Sequence, residues 1–400
     1  MCSGHDDRLL ARTLALACKG EAAVSPNPMV GAVVARGRQV LAEGYHERHG
    51  DRHAEAVALE KAGERARGAA LYCNLEPCSF DSPAKNQPPC TRAIIESGIR
   101  RVVVGQLDPN PLVRGDGVAQ LRTAGINVDV ADDRRCWYLN AAFNTRMALG
   151  RPYVHLKGAV SLDGRIAAAG GASRWITDEA ARREVHGLRR GADAVAVGVG
   201  TLLADDPLLT ARLDAAGDSG KQPAAVVFDT HLRTPPASRL VRERADSLFV
   251  VGVRPSADER WEARADALSA RGVTVIAVGE LGAREWVPGK LVPLEPALRA
   301  LLGYGVGSIL VEGGSALSTS LVSASLYDRI TLYIAPLLMG DGVPFVGDLG
   351  IADPGAAVRF EDARWRAVAD QQVFEAARAG WLDAVRGCVQ AEVHDVHRAG

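Results

Sequence analysis

Three residues between positions 53 and 90 have the chemistry of a metal site. His53, Cys78 and Cys90 offer one imidazole and two thiols, a ligand set that suits a tetrahedral zinc ion whose fourth position is left for water. A zinc ion held in this way lowers the pKa of that water toward neutrality. Glu55 lies just after His53, so that on the first turn of a helix it faces the water without binding the metal. The pattern predicts a zinc site in which Glu55 carries protons as a general acid and base.

The segments around these residues strengthen the prediction. A lone His-x-Glu often occurs by chance, and cysteines in a reducing compartment are usually buried apolar side chains. Here His-Ala-Glu at 53–55 is followed by Leu-Glu-Pro-Cys at 75–78 and Pro-Pro-Cys at 88–90, a combination typical of zinc nucleobase deaminases. The two cysteines are further apart than in the common Pro-Cys-x-x-Cys pattern. We therefore expect a loop over residues 79–87 that returns Cys90 to the metal.

Composition narrows the class of protein. The chain has 400 residues, 47% apolar and 24% charged, which is ordinary for a globular protein and long enough for two domains. The net charge of −1 gives no sign of a nucleic-acid partner. No apolar run reaches membrane-spanning length, and the polar N-terminus does not resemble a signal peptide. The seven cysteines are an odd number, which favours free thiols in a reducing cytoplasm over a disulfide framework.

The zinc-ligand candidates fall at the ends of predicted elements. In the first half we predict helices over 7–19, 54–62, 91–97 and 117–124, and strands over 32–34, 40–45, 69–75, 101–105 and 126–130. Strands that alternate with helices imply an α/β sheet covered on both faces. The breakers Gly150-Arg151-Pro152 mark a candidate domain boundary.

Beyond that boundary a second strand-and-helix series begins. Gly198-Val199-Gly200-Thr201 and Glu312-Gly313-Gly314-Ser315 each follow a predicted strand, where backbone N–H groups can bind phosphate. Neither is a complete Gly-x-Gly-x-x-Gly fingerprint, so an ordinary tight turn is an equal alternative. Lys157, Arg189 and Arg212 are candidates for facing a phosphorylated ligand, and solvated surface charge is the alternative for each.

Together these motifs resemble a known family over nearly the whole chain, the bifunctional deaminase–reductases of riboflavin biosynthesis. The first half is similar in its segments 25–31 (Ser-Pro-Asn-Pro-Met-Val-Gly), 44–46, 53–55, 75–79, 88–90 and 108–111. The second half is similar in segments 150–154, 159–164, 173–177, 204–208, 311–314 and 334–336.

The resemblance implies an α/β fold of two domains, and the chain runs on past the usual end of the family as a C-terminal extension. Residues 1–149 would form a cytidine-deaminase-like α/β/α domain, residues 150–365 a dihydrofolate-reductase-like α/β domain, and residues 366–400 the extension. The first domain would use Zn2+ to deaminate 2,5-diamino-6-ribosylamino-4(3H)-pyrimidinone 5′-phosphate. The second would use NADPH to reduce the ribosyl unit to ribityl. The family also suggests a homo-oligomer, a dimer or tetramer, formed through the second domain.

Site residues are implied position by position. The resemblance assigns zinc to His53, Cys78 and Cys90, proton transfer to Glu55, and the deaminase pocket to Asn27 and His46. Its substrate contacts in the reductase correspond to Ser173, Arg189, Leu209, Arg212 and Glu312. Its NADP contacts correspond to Ala159, Trp175, Thr201, Asp205, Gly314, Ser315, Ala316, Leu317, Ser318, Thr319 and Ser320.

The chain departs from the family in the loop after Cys78. Phe80 stands where the family usually has a histidine, and the segment 81–87 makes the loop longer. We expect Lys85 or Asn86 to supply the missing polar contact; a surface insertion that never meets substrate is the alternative. A relative acting on the same or a related pyrimidine in a secondary-metabolite pathway is a second reading. A nucleic-acid-editing deaminase is disfavoured, because the net charge is −1 and aromatic residues make up only 5%.

Overall fold

The chain divides into two compact units. The computed structural model describes residues 4–81, 88–173, 175–213, 221–255, 258–281 and 292–396. One unit comprises Met1–Gly150 together with Leu382–Gly400, and the other comprises Arg151–Trp381. No helix in these described ranges is long and apolar enough to cross a lipid bilayer.

The first unit is built on a mixed sheet. Its helices before residue 151 are α1 (Gly4–Ala17), α2 (Ala54–Ala62), α3 (Cys90–Glu96), α4 (Asp116–Thr123), α5 (Arg134–Leu139) and α6 (Ala141–Leu149). Its strands are β1 (Gly31–Arg36), β2 (Gln39–Tyr45), β3 (Ala70–Cys73), β4 (Arg101–Val104) and β5 (Asn127–Val130). The sheet order is β2-β1-β3-β4-β5. Strand β1 is antiparallel to β2 and β3, whereas β3, β4 and β5 are parallel.

Glycines let two helices lie directly on this sheet. A Cβ atom at Gly31 would stand 2.1 Å from the carbonyl oxygen of Thr13 in α1, and one at Gly44 would stand 2.3 Å from that of Ala54 in α2. No larger residue fits such contacts. Apolar side chains cover both faces of the sheet, one with α1 and the other with α2, α3 and α4. The close packing of α2 on β2 places the residues at its N-terminus.

The second unit has a larger sheet. Its strands are β6 (Tyr153–Ser161), β7 (Arg165–Ala167), β8 (Ala194–Gly198), β9 (Ala224–Phe228), β10 (Leu248–Pro255), β11 (Thr274–Leu281), β12 (Ser308–Glu312), β13 (Arg329–Ala335), β14 (Val343–Pro344), β15 (Phe360–Val368) and β16 (Gln371–Arg378). Its helices are α7 (Glu179–Gly191), α8 (Val199–Asp205), α9 (Arg239–Arg244), α10 (Glu259–Ser269), α11 (Leu294–Gly303) and α12 (Ser315–Ser323). Helix α13 (Trp381–Val396) follows.

The strand order of the large sheet brings the two glycine turns together. The order is β11-β10-β9-β8-β12-β6-β13-β16-β15, and β7 pairs separately with β14. Every neighbouring pair in the run from β11 through β10, β9, β8, β12 and β6 to β13 is parallel. Because β8 and β12 are parallel neighbours, their carboxyl ends meet at one edge, where ligands bind in open α/β sheets. Both predicted turns lead into helices, α8 and α12.

The C-terminal boundary differs from our expectation. We placed the end of the second domain at residue 365, yet β15 spans that position and β16 is hydrogen-bonded to β13. The hairpin of β15 and β16 therefore completes the sheet. The remaining part is helix α13, whose residues from Leu382 onward belong to the first unit. Its apolar side chains Leu382, Val385 and Val389 recur at helical spacing and are buried, a signal that the prediction of an extension overlooked.

Candidate functional site

The predicted zinc ligands lie at the ends of three elements. His53 is the residue that precedes α2 and has extended backbone angles there. Cys90 is the first residue of α3, and Cys78 follows β3 by a short segment. Since β3 lies beside β1 in the sheet and α2 packs against β1 and β2, these elements converge on one point.

Their side chains form a compact donor set. His53 Nδ1 is 3.3 Å from Cys90 Sγ and 3.5 Å from Cys78 Sγ, and all the ligand atoms lie within 4.8 Å of one another. The backbone N–H of Cys90 also points at Cys78 Sγ, at 3.4 Å. Hydrogen bonding from Cys90 and His53 lowers the pKa of Cys78 to about 3, which favours the thiolate that binds metal. One imidazole and two sulfurs with this spacing fit a zinc ion with an open position.

Glu55 is next to these ligands but is not one of them. It lies in the first turn of α2 and its side chain is buried. Together with His53 and Cys78 it lines a cavity of about 500 Å³. Burial raises the pKa of Glu55, although His53 opposes the shift. A raised pKa makes this buried carboxyl a better proton acceptor than an exposed one, which agrees with the predicted role.

Asn27 and His46 line the same cavity and are hydrogen-bonded to each other. His46 Nδ1 is 3.1 Å from the carbonyl oxygen of Arg52, and Asn27 Nδ2 is 3.3 Å from His46 Nε2. A carbonyl only accepts hydrogen bonds, so Nδ1 carries the proton and Nε2 accepts from the Asn27 amide. Burial lowers the pKa of His46, which favours this neutral ring. Among the described residues the amide oxygen of Asn27 and its second N–H have no partner, so both can bind a polar ligand.

Glu76 is a site residue to which our sequence interpretation gave no role. Its buried carboxylate accepts hydrogen bonds from the amides of Asp108, Gly115 and Val118, at 3.0, 2.9 and 3.0 Å. It thereby joins the segment that carries Cys78 to the segment between β4 and α4, which also lines the cavity. The sequence did contain a signal for this role, because Glu76 directly follows the predicted apolar strand 69–75. A carboxylate in such a position needs several hydrogen-bond donors if it is buried.

The loop after Cys78 is described only in part. Phe80 lines the cavity, so the position where the family has a histidine faces the candidate substrate space. Lys85 and Asn86, the residues we expected to replace that histidine, lie outside the described residues.

The second unit contains another cavity, of about 750 Å³, at the edge where β8 and β12 end. Most of the predicted reductase residues line it, namely Ala159, Ser173, Trp175, Arg189, Thr201, Asp205, Leu209, Arg212, Glu312, Gly314, Ser315, Ala316 and Leu317. Gly313 and Gly314 have φ values of 102° and 71°, and a Cβ atom at Gly313 would stand 3.2 Å from Thr201 Oγ1. Because glycine has no side chain, the backbone N–H groups of this turn can approach a diphosphate closely.

The end of the predicted NADP segment lies elsewhere. Ser318, Thr319 and Ser320 are not among the residues that line the cavity. Ser318 is buried, and the hydroxyls of Thr319 and Ser320 donate to the carbonyls of Ser315 and Ala316 at 2.6 and 2.9 Å. Helix geometry explains the difference, because only the first turn of α12 can present its groups to the edge of the sheet.

A charged cluster forms the floor of this cavity. The carboxylate of Glu312 binds the guanidinium of Arg189 through two hydrogen bonds, and Lys157 Nζ lies 3.6 Å from the same carboxylate. Burial alone would raise the pKa of Glu312, but Arg189 and Lys157 bring it down to about 2. Burial lowers the pKa of Lys157 in spite of Glu312. Arg189 and Lys157, which we considered for phosphate binding, are therefore engaged by Glu312.

Further basic groups that we did not predict face the cavity. Arg182 and His186 line it with Arg189, at a spacing of four and then three residues along α7, which places them on one helix face. The helical periodicity was the signal in the sequence. The guanidinium of Arg182 lies 4.4 Å from the ring centre of Trp175. Burial, Arg189 and Arg239 lower the pKa of Arg212, so this surface suits an anionic ligand such as NADPH or a sugar phosphate.

Comparison with known proteins identifies the family. The family described as cytidine and deoxycytidylate deaminase zinc-binding region matches residues 4–106. The family described as RibD C-terminal domain matches residues 152–374. The riboflavin biosynthesis protein RibD of Aquifex aeolicus is 40% identical over 348 residues, 86% of this chain and 91% of that protein. This chain belongs to the RibD family.

Other members of the RibD family agree in sequence and structure. RibD of Escherichia coli is 37% identical over 84% of this chain and 89% of its own length. A structure of Acinetobacter baumannii RibD is 32% identical, covers 94% of this chain and 99% of its own, and superposes with a TM-score of 0.77. The deaminase/reductase structure from Thermotoga maritima has the same identity and coverage and a TM-score of 0.76.

Membership confirms the predicted fold class and the predicted kind of enzyme. The chain is a bifunctional deaminase and reductase of riboflavin biosynthesis with a cytidine-deaminase-like domain followed by a RibD reductase domain. The donor set at His53, Cys78 and Cys90 fits the zinc of the first domain, and the basic, glycine-rich cavity of the second fits NADPH.

Proposed function

We propose that the chain deaminates 2,5-diamino-6-ribosylamino-4(3H)-pyrimidinone 5′-phosphate in its first unit and reduces the ribosyl group of the product in its second. The observation that carries this proposal is the pair of separate cavities, one beside the His53, Cys78 and Cys90 donor set and one beside Glu312 and the glycine turns. The Thermotoga maritima relative is named as a deaminase and reductase of this type.

In the first cavity the residues divide the work of deamination. His53, Cys78 and Cys90 would hold zinc, which would supply an activated water molecule. Glu55 would carry a proton to the leaving amino group, since it is buried beside the ligands without being one of them. The neutral His46 holds Asn27 in position, so that the free amide atoms of Asn27 orient the pyrimidine ring.

In the second cavity the residues bind and orient two anionic ligands. NADPH, when bound, supplies a hydride. The turns before α8 and α12 offer backbone donors to its phosphates. Glu312, held by Arg189 and Lys157, is a fixed acceptor for the ribosyl hydroxyls, and Arg212 binds the substrate phosphate. Trp175 and Asp205 complete the cofactor side of the cavity.

The direct test is incubation of the chain with the diaminopyrimidine phosphate, followed by mass analysis. Without NADPH, we expect a product in which oxygen has replaced the exocyclic amino group. With NADPH, we expect that product to gain a hydride and a proton. Recovery of unchanged substrate under both conditions, from zinc-loaded protein, would contradict the proposal.

The two activities should also be separable by mutation. Arg212→Ala removes a phosphate contact and should weaken reduction by roughly tenfold to a hundredfold, while deamination stays unchanged. Arg254→Ala is a matched control, because Arg254 pairs with Glu262 on the surface of the same unit. Equal loss of both activities in Arg212→Ala, with the fold intact, would refute the assignment of two sites.

A second candidate substrate is a related pyrimidine of a secondary-metabolite pathway. It is favoured by Phe80, which lines the deaminase cavity at a position where the family usually has a polar histidine. The enzyme class is the same in both cases, and only the group read by the loop after Cys78 differs.

We also infer that the chain works as a homo-oligomer in the cytoplasm. The family resemblance supports the oligomer. The Cys78 and Cys90 donor set supports a reducing compartment, where metal-binding cysteines stay reduced. Light scattering of the purified chain tests the oligomer, since a monomer at working concentration would contradict it.

A further inference from the structure

Helix α13 lies outside both segments matched by the family comparisons, which end at residues 106 and 374. Its buried apolar residues Leu382, Val385 and Val389 belong to the first unit. We propose that α13 is a positioning element for the deaminase cavity and acts through Arg114. The inference rests on the deaminase function proposed for the first unit, and it concerns the wall of the cavity rather than its metal site.

One wall of the cavity is an irregular segment between β4 and α4. Asp108, Asn110 and Val113 of this segment line the cavity. The segment folds on itself, because Asp108 Oδ1 accepts from the amide of Asn110 at 2.8 Å and the carbonyl of Asn110 accepts from the amide of Val113 at 2.9 Å. It contains neither helix nor strand, so contacts with neighbouring elements must set its position.

Glu76 holds this segment from the cavity side through the amides of Asp108 and Gly115. Arg114 holds it through a different set of contacts. Its Nη2 donates to the carbonyl of Pro109 at 2.6 Å, and its Nη1 donates to the carbonyl of Cys388 in α13 at 3.1 Å. One rigid guanidinium thus joins the segment to the helix. Because the group is planar and is bonded at both ends, a movement of the helix shifts the segment, and a movement of the segment shifts the helix.

The helix has its own attachment to the first unit. Arg386 Nη2 donates to the carbonyl of Asp132 at 2.8 Å and pairs with its carboxylate at 3.0 Å. The same guanidinium lies 5.8 Å from the ring centre of Trp137, whose Nε1 donates to Asp132 Oδ1. The carbonyl of Cys388 is therefore held in place by a residue of the same turn of α13, and Arg386 positions Arg114 indirectly.

The test compares single variants of the full chain. Arg114→Met and Arg386→Met should each raise the deaminase KM, by about tenfold for the first, with little change in kcat, zinc content or reductase activity. Arg114→Lys keeps a positive donor and should recover part of the affinity. Arg122→Met is the matched control, because Arg122 donates to the carbonyl of Val128 in the same unit and has no hydrogen bond to α13 among the described residues. Its KM should equal that of the wild type.

Hydrogen exchange provides a readout that needs no turnover. In Arg114→Met and in Arg386→Met, the backbone amides at positions 113 and 114 should exchange roughly tenfold faster than in the wild type. A variant that carries both Arg114→Met and Arg386→Met should exchange little faster than the more affected single variant, since both changes break the same connection. Fully additive effects, an unchanged rate in Arg386→Met, or parallel loss of reductase activity would each overturn the inference. If the wild type fails to deaminate, the proposed function fails, and the exchange rates still decide this inference.

Discussion

The carboxylate of Glu312 accepts hydrogen bonds from Nε and Nη2 of Arg189, at 2.5 and 2.9 Å. Both side chains are largely buried, and Lys157 lies beside them. Removing one partner from such a cluster leaves charge buried without compensation, which is much more costly than losing a surface pair. The cluster therefore makes the second unit sensitive both to mutation and to acid.

Glu312→Gln should lower the free energy of unfolding of the second unit by roughly 3 kcal/mol at neutral pH. The pKa of Glu312 is depressed from 4.5 to about 2, so its contribution to stability is present above pH 4.5 and is lost as the pH falls toward 2. Urea unfolding at several pH values measures this. The wild type and the variant should converge in acid, and parallel curves would contradict the prediction. Glu262→Gln, on the surface, should change stability little.

Loss of any one zinc ligand should abolish metal binding. We expect His53→Ala, Cys78→Ser and Cys90→Ser to contain almost no zinc, because neither water nor a neutral hydroxyl replaces a thiolate or an imidazole in this set of three ligands. Metal analysis of the purified variants is the measurement. Cys18→Ser is the control, since Cys18 is an exposed thiol of the same unit and should leave zinc unchanged. Full zinc content in a ligand variant would refute the assignment.

Glu55→Gln should separate metal binding from catalysis. The amide keeps the shape of the side chain but neither gains nor loses a proton near neutral pH, so zinc should remain while deamination falls by roughly a hundredfold to ten-thousandfold. Reductase turnover of the same preparation serves as the internal control. Substantial deaminase turnover by this variant would show that another group moves the proton.

The loop after Cys78 should influence the choice of substrate. A buried polar edge of the substrate left without a partner costs roughly 1–3 kcal/mol, up to about a hundredfold in rate. Phe80 lines the cavity, so we predict that Lys85 or Asn86 makes up the contact. Replacing the loop by the family's shorter form with its histidine tests this. Unchanged kinetics toward the riboflavin precursor would make the loop a mere spacer, whereas a sharp rise would favour a related natural substrate.

Local sequence patterns were enough to select the three residues that the structure brings together as a candidate metal site. His53 and Cys90 adjoin the N-termini of helices, and Cys78 follows an apolar strand. Each of these positions can be predicted from nearby residues, because the spacing of apolar residues marks one helix or strand and the helix- or strand-breaking residues mark its end. The same holds for the turns at Gly198 and Gly313, whose glycines stand directly after runs of apolar residues typical of buried parallel strands.

Long-range packing decided the rest. Residues such as Glu76, Arg114 and Arg386 bind partners far away along the chain, and no local pattern indicates which carbonyl or amide a buried charge will meet. The pairing of β16 with β13 and the return of α13 to the first unit are of the same kind. By itself the sequence determined the α/β elements and the candidate site residues, because these follow from short-range patterns. Only the tertiary structure decided what holds those residues in place, because that depends on contacts between segments distant in the chain.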